Sequence, residues 1–126
     1  MDHAAVAGRL LDAGVDVLVE KPFARTVAEA DQMIATAERH KRVLQVGHLE
    51  RFNPAVEAAR AIARSPLFFE AHRLSTFSPR SLDVDVVMDL MIHDLDIVLS
   101  LVDSEVEEIR AVGLAVLTPK FDIANV

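Results

Sequence analysis

The sequence contains no cysteine. That absence excludes a disulfide framework, a thiolate zinc site and a cysteine nucleophile, and it fits a reducing compartment. Basic residues are the minority charge: 13 Lys and Arg stand against 20 Asp and Glu, for a net charge of -7. Binding a phosphate backbone requires a concentration of Lys and Arg that occurs nowhere in the chain, which argues against a nucleic-acid surface. No apolar run reaches the ~20 residues that a bilayer-spanning helix needs. Met1-Asp2-His3 lacks the basic start of a secretory signal. The expectation is a cytoplasmic protein with neither a membrane nor a nucleic acid as partner.

What is present suits a folded domain. The chain has 126 residues, 52% of them hydrophobic and 26% charged, whereas disorder needs low hydrophobicity combined with high net charge. This length allows one ordinary domain that buries roughly two-thirds of its unfolded surface, and two full domains would not fit. There are no internal repeats or low-complexity tracts. A shift in composition near Ser65 to Leu67, from short alternating elements to longer strands, is the candidate boundary between segments 1–65 and 66–126.

Taken in order, Ala4 to Ala13 has helical apolar spacing through Val6, Leu10 and Leu11, with Gly14 as a left-handed stop. Val15 to Val19 reads as a strand covered on both faces. Glu20-Lys21-Pro22 follows at the carboxyl end of that strand, where open α/β sheets bind their ligands. Thr26 and Glu29 form a capping-box pattern before a helix over Ala28 to His40. Val43 to Val46 is a second strand, closed by Gly47 and His48 and followed by the polar cluster His48, Glu50, Arg51 and Asn53. Helices and strands alternating through short connections imply a parallel sheet.

Asn53-Pro54 signals the start of another helix, running to about Arg64. Leu67 to Thr76 and Glu105 to Leu117 read as strands, and Phe121 to Val126 as the start of a further one. Between them, Val86 to Val102 is an apolar helical pattern interrupted by Asp89, His93, Asp94 and Asp96. At 3.6 residues per turn, Asp89, His93 and Asp96 share one face. A helix this apolar does not suit a solvated surface, and an unpartnered buried polar group costs about 2–7 kcal/mol, so that face points to a site. The bland alternative is an Asp cap at the helix start and a satisfied core histidine.

The stretches VDVLVEKPFA, VLQVGHLERFNPAV and MDLMIHDLDIV, in this order and at these separations, resemble the Gfo/Idh/MocA family of nicotinamide-dependent oxidoreductases. The resemblance covers nearly the whole chain. RSLDVDVVMDLMIHDLDIVLSLV is similar to the branch that oxidises the 3-hydroxyl of UDP-N-acetylglucosamine-type sugars. It implies an α/β protein: residues 1–65 as the C-terminal part of a Rossmann-type parallel sheet, then residues 66–126 as the start of an α/β domain with a large open sheet. It also implies NAD or NADP as cofactor, a sugar or nucleotide-sugar substrate, and a homo-oligomer, dimer or tetramer. Lys21 and His93 would be the catalytic pair, accompanied by Asp89. Glu20, Lys21, Pro22 and His48 would contact the cofactor, and Arg51, Asn53, Arg80 and His93 the substrate. No metal is expected.

The imidazole suits removal of a hydroxyl proton, because its ordinary pKa of about 6.5 lies near working pH. The Lys21 ammonium suits stabilisation of the developing alkoxide. Two departures from the family pattern stand out. Gly8, Gly14, Gly47 and Gly113 are all isolated, so the chain has no G-x-G-x-x-G turn to receive a pyrophosphate, and Val84, Asp85, Val86 and Val87 replace the glycines usual before D-x-x-x-H. The expectation is an internal fragment or truncated gene product that by itself binds cofactor poorly. Local alternatives stay open. Lys21 could pair with Glu20, Arg51, Arg73 and Arg80 could be solvated charges, and His48 could be a loop residue. Two other readings of the whole remain. One is a hydrolase or isomerase holding a divalent metal on Asp89, His93 and Asp96; the other is an inactive remnant with exposed strand edges.

Overall fold

The packing begins from three apolar stripes in the first 48 residues. A computed structural model describes residues 2–76 and 84–126, so Arg80 lies outside the described residues. Helix α1 (His3–Asp12) buries Ala7 and Leu11, one turn apart, and ends where its pattern ends. Gly14 takes φ +78°, its N–H donates to the Leu11 carbonyl at 2.9 Å, and the Val15 N–H donates to that of Leu10 at 3.0 Å. A residue with a Cβ would be strained in that left-handed turn.

Strand β1 (Val17–Glu20) follows, then helix α2 (Val27–His40) and strand β2 (Leu44–Gly47). The strands pair in parallel, with Val17 opposite Leu44 and Glu20 opposite Gly47. At the start of the ladder the Val17 N–H donates to the Val43 carbonyl at 2.9 Å, and the Val43 N–H donates to Asp16 Oδ1 at 2.8 Å. Thr26 caps α2, its Oγ1 accepting from the Glu29 N–H at 3.2 Å. The return bond of the capping box is displaced by one residue: the Glu29 carboxylate accepts from the Arg25 N–H at 2.9 Å. Ala7, Leu11, Val19, Met33 and Ala37 form the core, with Phe23 and Leu44 packed against it.

One expectation changes here. Strand β1 is not covered on both faces, because only alternate residues are buried: Val19 is 5% exposed and Leu18 62%. Helices α1 and α2 cover one side of the pair, and among the described residues nothing covers the other to that depth.

The chain divides into two compact units, Met1–His48 and Leu49–Val126. The division falls well before the boundary expected near residue 65, because residues 49–62 pack with the helix over residues 92–101 rather than standing apart from it. The second unit opens with a 3-10 turn (Leu49–Phe52) and helix α3 (Pro54–Ile62). Pro54 is the first helical residue, and the Asn53 Oδ1 cap accepts from the Ala55 N–H at 3.0 Å. The expected Val86–Val102 helix is a π-helical turn (Val87–Met91) running into helix α4 (Ile92–Leu101). Arg60 of α3 donates to the Ser100 hydroxyl of α4 at 2.9 Å.

Strands β3 (Val112–Leu114) and β4 (Ile123–Asn125) pair antiparallel. The long strand expected over Glu105 to Leu117 is therefore confined to three residues, and Leu67 to Thr76 forms no strand. A strand exists only where a ladder partner satisfies its backbone, and among the described residues those segments have none. Leu67, Phe68 and Leu74 are accordingly 81–99% exposed. No side chain of α4 is fully buried either, although its composition suggested burial.

Leu11 is the one large side chain completely removed from solvent among the described residues. Leu11→Ala is expected to destabilise the protein by about 2–5 kcal/mol, measured as a fall in the urea midpoint. Leu18→Ala, on the open side of β1, should cost far less.

Candidate functional site

The expected site residues fall in two clusters, one in each unit. In the first, Glu20 ends β1 and Lys21 and Pro22 form the turn beyond it, with a cis Lys21-Pro22 peptide. Parallel pairing places Gly47, the last residue of β2, opposite Glu20, and His48 comes next. Gly47 is needed for close approach. A Cβ there would lie 3.2 Å from the Glu20 carboxylate and 3.3 Å from the Val19 carbonyl. The buried Nδ1 of His48 has no hydrogen-bond partner among the described residues. Buried polar atoms in proteins are almost always paired, so an orphaned one at the carboxyl end of a parallel strand is a position at which a ligand's polar group would be satisfied. Glu20, Lys21, Pro22 and His48 thus stand around one strand end, as expected, and that end fits part of a dinucleotide. With all four glycines isolated, the chain supplies no pyrophosphate cradle.

In the second unit Asp89 lies in the π-helical turn, where Asp85 Oδ1 accepts from the Met88 N–H at 2.9 Å. A π turn closes i to i+5 bonds instead of i to i+4 and is often found at functional sites. It also breaks the 3.6-residue register on which the shared face of Asp89, His93 and Asp96 depended, and these carboxylates enter different surroundings. Asp89 lines a cavity of about 370 Å³ together with Thr76, Leu90, Thr118, Phe121 and Asp122. Asp96 forms a bidentate pair with Arg51, whose Nε donates at 3.1 Å and whose Nη2 donates to the other carboxylate oxygen. Asp94 forms a second bidentate pair with Arg73, both bonds 2.8 Å, beside a separate cavity of about 260 Å³. His93 stands between Asp94 and the π turn, and its Nδ1 is buried.

Three of the residues singled out for their chemistry are occupied in holding the fold. Arg51 is committed to Asp96, which raises its pKa. Asn53 caps α3 and also donates to Glu50 Oε2 at 3.3 Å. Asp96 is not available as a metal ligand beside Asp89 and His93, and among the described residues no three His, Asp or Glu side chains could hold a metal ion. The reading of that face as a divalent-metal site therefore finds no support. Arg73 is not free in solvent: its Nε and Nη2 are held by Asp94.

Sequence reasoning passes over two groups. Asp122 accepts from the backbone N–H groups of Val116, Leu117 and Thr118 at 2.7–2.9 Å and from the Thr118 hydroxyl at 2.8 Å. These donors stabilise its charged form and hold its pKa far below the carboxylate range. The available signal is a Thr-Pro break four residues before an Asp. His3, the first residue of α1, bonds through Nδ1 to the Pro22 carbonyl at 2.9 Å; no local pattern marks a partner 19 residues away.

Residues 1–48 match the family model described as an oxidoreductase family with an NAD-binding Rossmann fold, GFO_IDH_MocA. Residues 1–48 are thus similar to the NAD-binding part of the Gfo/Idh/MocA oxidoreductases. The match ends where the first compact unit ends. Over nearly its whole length, the chain also resembles two curated dehydrogenases. It is 48% identical over 124 residues to UDP-N-acetylglucosamine 3-dehydrogenase of Acidithiobacillus ferrooxidans, covering 98% of this chain and 40% of that protein. It is 32% identical over 118 residues to an inositol 2-dehydrogenase of Acidothermus cellulolyticus, covering 88% of this chain and 35% of that protein. A solved structure of the Acidithiobacillus ferrooxidans enzyme matches 97% of this chain and 41% of its own, with a TM-score of 0.89. The chain thus spans about 40% of the length of this relative. The α/β fold with a parallel strand pair is shared with that solved structure, and its first 48 residues match a family described by an NAD-binding Rossmann fold.

The Arg73 guanidinium holds the Asp94 carboxyl below its ordinary value, first through the paired hydrogen bonds and then through charge, with His93 adding to the effect. A depressed carboxyl pKa contributes stability that is full above the unfolded value, about 3.9, and is lost as pH falls through the lower folded value. A ¹³C titration of the Asp94 carboxyl should give a midpoint below about 3.9 in the native chain and one near that value in Arg73→Ala. A native midpoint at or above it would show that the pair does not persist in solution.

Proposed function

We propose that this chain is part of an oxidoreductase that moves a hydride between a secondary alcohol of a sugar and NAD or NADP. The substrate in this reading is the 3-hydroxyl of a nucleotide sugar such as UDP-N-acetylglucosamine. The observation that carries it is the 48% identity, over 98% of the chain, with a protein named for that reaction. The enzyme is read as cytoplasmic and homo-oligomeric, and the absence of cysteine supports the first of these.

The roles follow from chemistry. Glu20, Lys21, Pro22 and His48 meet the cofactor at the carboxyl ends of β1 and β2, with His48 Nδ1 satisfied by a polar group of the ligand. When bound, the nicotinamide supplies the hydride acceptor. His93 removes the hydroxyl proton, a service typically worth about 10²–10⁴-fold, and the Lys21 ammonium stabilises the alkoxide as it forms. Asp89, on the wall of the cavity it shares with Thr118 and Asp122, orients the imidazole or holds its conjugate acid. Arg51 and Asn53 border the substrate region, and Arg80 is assigned to the substrate by the resemblance alone. The Asp96 and Glu50 contacts argue that Arg51 and Asn53 shape this region more than they bind in it.

A chimera tests the reading directly. These 126 residues would replace the matching segment of the Acidithiobacillus ferrooxidans enzyme, and NADH formation from NAD and UDP-N-acetylglucosamine would be followed by absorbance. Lys21→Ala and His93→Ala in that chimera should each abolish turnover while leaving the circular dichroism spectrum unchanged. Near-native turnover in either variant would remove the role given to that residue.

A further inference from the structure

The hydrogen bond from His3 to Pro22 joins two features that the sequence keeps 19 residues apart: the first residue of α1 and the turn after β1. A backbone carbonyl can only accept, so the bond requires the proton on Nδ1. This fixes the neutral ring in the tautomer with Nε2 unprotonated, whereas a solvated histidine side chain favours Nε2–H. The partner is not an arbitrary carbonyl. It belongs to the last residue of Glu20-Lys21-Pro22, in the unit matched to the NAD-binding family. The donor is carried by a helix that is itself fixed, with Leu11 completely buried and Gly14 closing its other end. A rigid helix thus holds the far side of a three-residue turn whose near side is held by the β1–β2 ladder.

We propose that His3 is a positioning residue: by donating Nδ1–H to the Pro22 carbonyl it holds the Glu20-Lys21-Pro22 turn in the conformation that meets the cofactor. The inference rests on the reading of that turn as a cofactor contact. His3 itself touches neither cofactor nor substrate in this role and acts through the turn.

The test uses the chain as it is, labelled with ¹⁵N. At mildly alkaline pH, long-range ¹H–¹⁵N correlations should show Nδ1 of His3 protonated and Nε2 bare; the reverse assignment would overturn the contact. Three variants then separate positioning from simple loss of a side chain. His3→Asn puts an amide N–H where Nδ1 stood, His3→Gln puts one at the Nε2 position, and His3→Ala puts none. Backbone amide shifts of Lys21 and Phe23 should stay at native values in His3→Asn and move in the other two. NADH titration of the chimera described above, followed by cofactor fluorescence, should give a Kd raised about three- to tenfold in His3→Gln and His3→Ala and restored in His3→Asn, the scale of one hydrogen bond. Equal weakening in all three variants, or in none, would overturn the positioning role. If the native tautomer is as expected but NADH binding by the chimera is unchanged by Lys21→Ala and by all three His3 variants, the cofactor reading of the turn fails and the positioning role with it, while the contact itself stands.

Discussion

Parallel pairing of two four-residue strands is the constraint on which the cofactor cluster depends. Chemistry-bearing residues 20–22 and 47–48 are separated by a helix in the sequence, and they reach one edge only because Val17 aligns with Leu44 and Glu20 with Gly47. A slip of one residue would send every side chain of β1 to the opposite face, exchanging buried Val19 for exposed Leu18. Burial of Val19 against α1 and α2 therefore fixes the register. The Asp16 carboxylate, accepting from the Val43 N–H, sets the same register at the other end of the ladder.

The second unit is held differently. Without fully buried side chains among its described residues, it relies on charged and polar groups that join segments distant in sequence: Arg51 with Asp96, Arg73 with Asp94, Arg60 with Ser100, and Asp122 with three successive backbone amides. Their weights differ. An exposed ion pair contributes about 0.2–1 kcal/mol, while bidentate pairs with a sheltered carboxylate are stronger. Asp96, 10% exposed, belongs to the second kind, and the well-exposed Arg110–Glu108 pair to the first. Two of these pairs fall within three residues of His93. The residues that fix the start of α4 are thus ones the sequence offered as chemical candidates, and a carboxylate holding an arginine bidentately has few acceptor sites left for a metal.

The sequence by itself determined what local chemistry determines. Gly14 ended α1, Thr26 capped α2, and Asn53 and Pro54 began α3, because each depends on neighbours a few residues away. The motifs EKP, RFNP and DLMIH also carried the resemblance to a family, since their identities and spacing are properties of the chain alone. Tertiary structure decided what depends on distant partners. It decided that β1 is covered on one face, that residues 67–76 find no ladder among the described residues, and that the helix beginning near Val86 starts as a π turn. It committed Arg51 to Asp96, 45 residues on, and His3 to Pro22, 19 residues on. A hydrogen bond between groups so far apart follows from where the backbone has been brought by packing, and no periodicity in the sequence encodes it.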